Sequence, residues 1–164
     1  YLVEKFGSVE RAERSYRSLR AAGEKDGVAF RFELIDNTPN TVDSHRLIAF
    51  AGRSGLQNEI VEALFRGYFS FGRDIGNHRI LADIAAENGL DRAETLDYLS
   101  GDADRDTILA EDDMVRDLGV NGVPRYIIDR KYAISGAQSP EVFIQVLDLA
   151  AQDLLEPNVP AETV

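Results

Sequence analysis

The stretch NGVPRYIIDRKYAISG, residues 121 to 136, limits the fold of this chain more than any other part of its sequence. A Gly-Val-Pro turn leads directly into two short runs of β-forming residues, Arg125 to Ile128 and Tyr132 to Ser135. Ser139 and Pro140 then begin a helix, because Ser caps helices well and Pro loses no hydrogen bond at the first helical position. The sequence therefore predicts a β-β-α unit. A hairpin with a single helix leaves one face in water, so this unit needs further strands beside it.

The sequence before this unit reads mainly as helix. Apolar residues recur at spacings of three and four, and several of these stretches end at Gly or Asn-Gly. The predicted helices cover residues 8 to about 23 or 27, 40 to 55, 57 to 71, 77 to 88, 92 to 99 and 106 to 118. Partial alternation at residues 28 to 35 predicts one short extended segment. We expect residues 1 to 118 to form a helical region, 119 to 155 the β-β-α unit and 156 to 164 a frayed tail.

Composition excludes several classes of function. The chain has 164 residues, of which 44% are hydrophobic, and this is enough for the core of one soluble domain. Its formal charge of -11 repels phosphate backbones and anionic lipids, so we expect no nucleic-acid partner and no membrane partner. The chain contains no cysteine, which excludes a disulfide, a thiolate metal site or a cysteine nucleophile within it. With only two histidines, no metal site is predicted.

Five stretches taken together resemble the FrnE-like branch of the DsbA family of oxidoreductases. They are NTVDSHRLIAFAG (40 to 52), EALFRGYFSFGRDIGN (62 to 77), LADIAAENGLD (81 to 91), DLGVNGVPRYIID (117 to 129) and YAISGAQSPEVFIQVL (132 to 147). The resemblance implies an α/β protein with a thioredoxin-like fold, of which this chain carries the C-terminal β-β-α half and a large all-helical insertion of the DsbA type. The chain departs from the family in lacking the first β-α-β half with its Cys-x-x-Cys motif. We expect that half upstream of Tyr1; a protein that natively lacks it is the less favoured alternative.

The resemblance also implies a function. It is that of a cytoplasmic bacterial thiol-disulfide oxidoreductase, acting on protein or small-molecule disulfides through the upstream cysteines and requiring no cofactor. One alternative is a 2-hydroxychromene-2-carboxylate isomerase or kappa-class glutathione transferase, in which Ser replaces the first Cys and glutathione is the cofactor. A second alternative is a non-enzymatic, chaperone-like protein-binding module. The sequence also leaves open whether the chain forms a homodimer through the helical region.

We predict that Gly122, Val123 and Pro124 position the substrate. An X-Pro bond prefers trans by only about 0.5 to 1 kcal/mol, so tertiary contacts can fix it in the cis form. A cis Val123-Pro124 bond would turn the N–H and C=O of Val123 outward, toward a substrate strand or glutathione. The alternative is an ordinary trans turn before an edge strand.

Asn40, Thr41 and His45, followed by Arg46, form a second group of candidates. Thr41 and His45 are one helical turn apart and share a face. The resemblance implies that this helix borders the active-site groove. The alternative is that Asn40 or Thr41 only caps the helix and that His45 is a half-buried polar residue.

Three other features are predicted to be mainly structural. Aromatic residues at helical spacing between Tyr68 and Phe71 indicate core packing, with an aromatic binding strip as the less favoured alternative. The pair Arg73 and Asp74 either binds substrate or ties a loop. His78 and the acidic run at residues 111 to 113 are expected at the surface.

Overall fold

A computed structural model describes residues 7–117, 119 and 122–155. This part of the chain contains seven α-helices, one 3-10 helix and two strands. The elements are α1 (Val9–Lys25), the 3-10 helix (Phe32–Leu34), α2 (Val42–Gly52), α3 (Gln57–Phe71), α4 (His78–Glu87), α5 (Arg92–Ser100), α6 (Arg105–Asp117), β1 (Arg125–Ile128), β2 (Tyr132–Ser135) and α7 (Pro140–Leu155). The chain divides into two compact units, residues 1–110 and 111–164, which we call the helical unit and the hairpin unit. The predicted boundary after residue 118 and the predicted tail from residue 156 fall on residues outside the described part.

The core of the helical unit is formed by α2 to α5. Its side chains recur at spacings of three and four along their helices, and none is more than 5% exposed: Leu47, Ala51, Ile60, Leu64, Leu81, Ile84, Ala85 and Leu99. Full burial of a large apolar side chain contributes about 1.5 to 3 kcal/mol. This core fixes the position of α2, whose first turn carries the candidate residues.

Polar side chains mark where several helices begin. The Ser8 hydroxyl oxygen accepts a hydrogen bond from the Arg11 backbone N–H at 3.3 Å. The Asn77 side-chain oxygen accepts from the Arg79 backbone N–H at 2.9 Å. Such caps satisfy backbone donors that have no partner within the helix. The predicted starts at Ser8 and Asn77 are confirmed.

The segment at residues 28 to 35 is not the extended element that alternation predicted. Phe32–Leu34 forms a 3-10 turn, and no strand of the described chain pairs with this segment. Instead, the Arg31 N–H donates to the Phe69 carbonyl at the end of α3, at 2.8 Å. The rings of Phe30 and Phe32 stack 5.3 Å apart and each meets the Phe69 ring edge-on. The alternation reflects two rings packed on a helix end, not a strand in a sheet.

Gly72 lets this segment approach the end of α3. Its φ of 63° lies in the left-handed region. A Cβ at this position would lie 2.2 Å from the Leu34 carbonyl oxygen, which is far inside van der Waals contact. Both the backbone conformation and the close approach therefore require glycine.

The hairpin unit has a small interior. Strands β1 and β2 pair antiparallel with Arg125 opposite Ser135, and both have the predicted bounds. Helix α7 covers one face, where the Tyr126 and Phe143 rings meet edge to face at 4.8 Å. In the described part of this unit only Ile134 and Ala150 are buried. Across the described residues as a whole, no helix is long and apolar enough to cross a membrane.

Candidate functional site

The first turn of α2 brings three predicted site residues together. The Asn40 side-chain oxygen accepts from the Val42 backbone N–H at 3.0 Å, so Asn40 supports the start of the helix. Thr41 occupies the N-cap position but makes no capping bond with its side chain. The Thr41 carbonyl accepts from the His45 N–H at 3.0 Å, which sets the two side chains one turn apart as predicted. All three residues are exposed.

Arg46, the fourth member of this group in the sequence, is a structural residue. It is 1% exposed. Its guanidinium donates to backbone carbonyls at and beyond the end of α5, those of Tyr98, Leu99, Gly101 and Ala103, at 2.7 to 3.2 Å. The last carbonyls of a helix have no partner within it, and a planar five-donor group satisfies several of them at once. Arg46 therefore anchors α5 on α2 and is not free to bind a substrate.

Asp43 compensates the buried charge of Arg46 and also holds His78. Its two oxygens accept from Arg46 Nη1 and His78 Nε2, each at 2.8 Å. Burial alone would raise the pKa of Asp43, but the hydrogen bonds and positive charge of Arg46 and His78 outweigh it and hold that pKa below its ordinary value. His78, expected at the surface, is partly exposed and tied to this carboxylate. No sequence pattern indicates this link, because Asp43 and His78 are 35 residues apart.

An apolar pocket of about 400 Å³ opens beside the first turn of α2, within the helical unit. Thr41 and His45 lie among its lining residues. The rest of the lining comes from α2 itself, from one side of α3 and from the segments before α2 and after α3: Thr38, Pro39, Ser44, Ile48, Val61, Leu64, Phe65, Tyr68, Phe69 and Ile75. The aromatic residues of α3 lie outside the core cluster: Tyr68 and Phe69 are half-buried, and Phe65 and Phe71 are 58% and 61% exposed. Phe65, Tyr68 and Phe69 line the cavity instead, so the prediction that the α3 aromatic residues pack in the core is wrong. The sequence contains a signal for this cavity. Val61 and Phe65 follow the buried Ile60 and Leu64 by one position and widen the apolar face of α3.

The pair that follows α3 ties a loop. Arg73 forms an ion pair with Glu87 at 2.7 Å, and the Asp74 carboxylate accepts from the Gly76 N–H at 3.0 Å. In the acidic run, Asp112 pairs with Arg116 at 2.8 Å on an exposed helix face. Within the described ranges, no group of acidic residues and histidines could hold a metal ion.

Gly122, Val123 and Pro124, the other predicted site residues, belong to the hairpin unit. The Val123-Pro124 peptide bond is cis. The Pro124 carbonyl accepts from the Gly136 N–H at 2.8 Å, which ties the loop to the residue that follows β2. Val123 is 89% exposed, and its two neighbours are exposed as well.

Comparison with known proteins gives one family and one similar structure. Residues 3–148 match the family of DSBA-like thioredoxin domains. The crystal structure of a probable DsbA oxidoreductase from Streptomyces coelicolor is similar, with a TM-score of 0.83 and 32% sequence identity over 99% of this chain and 69% of that one. The comparison with curated proteins gives no significant match. These matches agree with the predicted thioredoxin-like fold with a helical insertion.

Proposed function

Because the chain belongs to the family of DSBA-like thioredoxin domains, we propose that it serves thiol-disulfide exchange as an oxidoreductase of the FrnE type. Its substrates are protein or small-molecule disulfides. The structural observation that carries the proposal is the exposed loop Gly122 to Pro124 at the start of β1, in a chain of this family.

The proposal requires a thiolate from outside these residues. A disulfide is broken by attack of a thiolate on one of its sulfur atoms, and the 164 residues contain no cysteine. We propose that a Cys-x-x-Cys motif N-terminal to this chain supplies it. A cysteine at the start of a helix has a lowered pKa and is therefore present as thiolate at neutral pH.

The role of the loop in this scheme is to hold an extended substrate next to the cysteine pair. The backbone N–H and C=O of Val123 are suited to this role because a substrate chain can pair with them as with the edge of a sheet. The 89% exposure of Val123 supports this role, since no neighbouring side chain covers the residue in the described chain. Thr41 and His45 are proposed to contribute polar groups to substrate binding.

The proposal is tested with the protein extended by its upstream coding sequence. We expect it to catalyse the reduction of insulin by dithiothreitol, followed as turbidity, and a variant with both upstream cysteines changed to Ser to be inactive. Equal rates for the two proteins would exclude thiol-disulfide exchange. If both instead suppressed the aggregation of an unfolded client equally, the chaperone-like alternative would be supported.

The loop is tested separately in the same assay. Val123→Pro removes the N–H that we propose for substrate pairing, whereas Val123→Thr keeps it. We expect the Pro variant to lose about tenfold in kcat/KM on a polypeptide disulfide, because one substrate hydrogen bond contributes about 1 kcal/mol or slightly more. The Thr variant should stay close to the parent. A Pro variant with unchanged kcat/KM would remove Val123 from the proposed site.

A further inference from the structure

We propose that the pocket beside α2 binds a small, mostly apolar organic molecule that carries one hydrogen-bonding polar group. The apolar body would lie between Ile48, Val61, Phe65 and Phe69, and the polar group at Thr41 and His45. The pocket is formed within the helical unit. Thr41 and His45 are also proposed above to contact the disulfide substrate, so the inference shares two residues with the proposed function. The binding tests below involve no thiol, so their outcome and that of the insulin assay are distinguishable.

The size of the pocket favours a small molecule. Its volume of about 400 Å³ lies in the range of about 300 to 1,000 Å³ that is usual for sites of small ligands. A single apolar side chain of a polypeptide would fill only part of this volume. The pocket is open to solvent and its walls are mostly apolar, so a bound ligand would remove apolar surface from water.

The walls of the pocket define the chemistry of the ligand. No Lys, Arg, Asp or Glu lines it, so a strongly charged ligand would find no counter-charge. The Ser44 hydroxyl donates to the Ile75 carbonyl at 2.6 Å and is already engaged. Ring edges and faces from Phe65 and Phe69 instead offer contacts to an aromatic or aliphatic body.

The rim supplies the polar contact. Among the described residues, the side chains of Thr41 and His45 have no hydrogen-bond partner. Both are exposed at the pocket and can donate or accept. They lie at the N-terminal end of α2, whose partial positive charge favours an electron-rich group there. A hydroxyl, carbonyl or similar group on the ligand would satisfy both side chains.

Two probes with the same body test the inference: 4-phenylbutan-1-ol and n-butylbenzene, added to the ¹⁵N-labelled 164-residue protein. We expect saturable shifts of amide resonances confined to residues 38 to 75, with a dissociation constant below about 1 mM for the alcohol. His45→Ala should weaken binding of the alcohol by about fivefold, which is the effect of losing one hydrogen bond. The affinity for butylbenzene should stay unchanged. Because His45 is exposed, this variant keeps the fold.

A second pair of variants tests the location. Val61→Trp fills the pocket and should weaken the binding of both probes by at least about tenfold. Phe71→Trp lies on the same helix outside the pocket, at a residue that is 61% exposed, and should leave binding unchanged. Far-UV circular dichroism verifies the fold of both variants.

Absent or non-saturable shifts, shifts elsewhere in the protein, or equal binding by the two Trp variants would overturn the proposal. Binding of the peptide acetyl-Leu-Phe-Leu-Leu-amide with sensitivity to Val61→Trp, without binding of either small probe, would also overturn it. That result would assign the pocket to polypeptide side chains.

Discussion

The helical unit and the hairpin unit use their apolar residues in opposite ways. Eight side chains of the helical core are at most 5% exposed. In the described part of the hairpin unit, Ile127, Ile144 and Leu147 are 52 to 58% exposed, although they come from the most apolar stretches of that unit. Four helices enclose a common interior, whereas two strands and one helix cannot. The helical unit is therefore stabilised mainly by its core, and the hairpin unit mainly by its turn and strand register.

Replacing Arg46 by Met should cause the largest loss of stability, and this loss falls on the helical unit. The substitution leaves several buried carbonyls without donors, and it removes the Arg46 hydrogen bond to the Asp43 carboxylate, which keeps the one from His78. We expect the free energy of unfolding to fall by about 3 to 5 kcal/mol, measured by urea denaturation with far-UV circular dichroism. The control Arg53→Met, whose side chain is 56% exposed and paired with Asp104, should cost less than about 1 kcal/mol. Equal losses would contradict the anchoring role of Arg46.

Two leucine substitutions test the comparison directly. Leu81 is fully buried in the helical core, and Leu147 is 52% exposed on α7. Leu81→Ala should cost about 2 to 5 kcal/mol because it removes buried surface and leaves a cavity. Leu147→Ala should cost less than about 1 kcal/mol. Urea denaturation of both variants measures the difference, and a larger loss for Leu147→Ala would show that the comparison is wrong.

Arg130→Gly should stabilise the hairpin unit and so reduce the difference in stability between the two units. Arg130 has a φ of 56°, next to Asp129 at 48°, and such left-handed residues favour Asp-Gly in a hairpin turn. We expect a gain of about 1 kcal/mol. Hydrogen exchange of the β1 and β2 amides should slow by about fivefold, which corresponds to that gain. Arg130→Ala keeps the unfavourable φ and should give no such protection; protection by Ala as well would point to another cause.

The smallest expected effect is a pH dependence of the stability of the helical unit. The pKa of Asp43 is lowered in the folded chain, so folding favours its ionised form. Its contribution to stability is therefore complete above the unfolded pKa, about 3.9, and is lost as the pH falls below it through the folded pKa. The urea midpoint of the parent should fall more steeply than that of Asp43→Asn between about pH 5 and pH 2. Parallel curves would show that Asp43 does not contribute in this way.

Local patterns predicted the regular elements well. The bounds of α3 and of both strands agree with the sequence prediction, because helix spacing and the Gly-Val-Pro turn act over neighbouring residues. The predicted end of α2 at Gly55 is three residues too late. The helix ends at Gly52, and the Leu56 N–H turns back to the Ala51 carbonyl at 3.0 Å. Two closely spaced glycines left this end ambiguous.

Features that depend on distant residues were not predictable in the same way. The role of Arg46 depends on carbonyls more than 50 residues away. The segment at residues 28 to 35 packs on the ring of Phe69 instead of pairing with a neighbouring strand. At the candidate site, the spacing of Thr41 and His45 was predictable from the helix period, but the cavity beside them depends on how α2 and α3 pack.

Gly72 has a practical consequence for anyone who engineers greater thermal tolerance into this protein. Exchanging glycine for alanine near a helix end is a common first choice, since it restricts the unfolded chain. Here the added methyl group would collide with the Leu34 carbonyl oxygen. The exchange would push the Phe30 and Phe32 rings off their support and loosen the helical unit, so a library of stabilising substitutions should leave this position untouched.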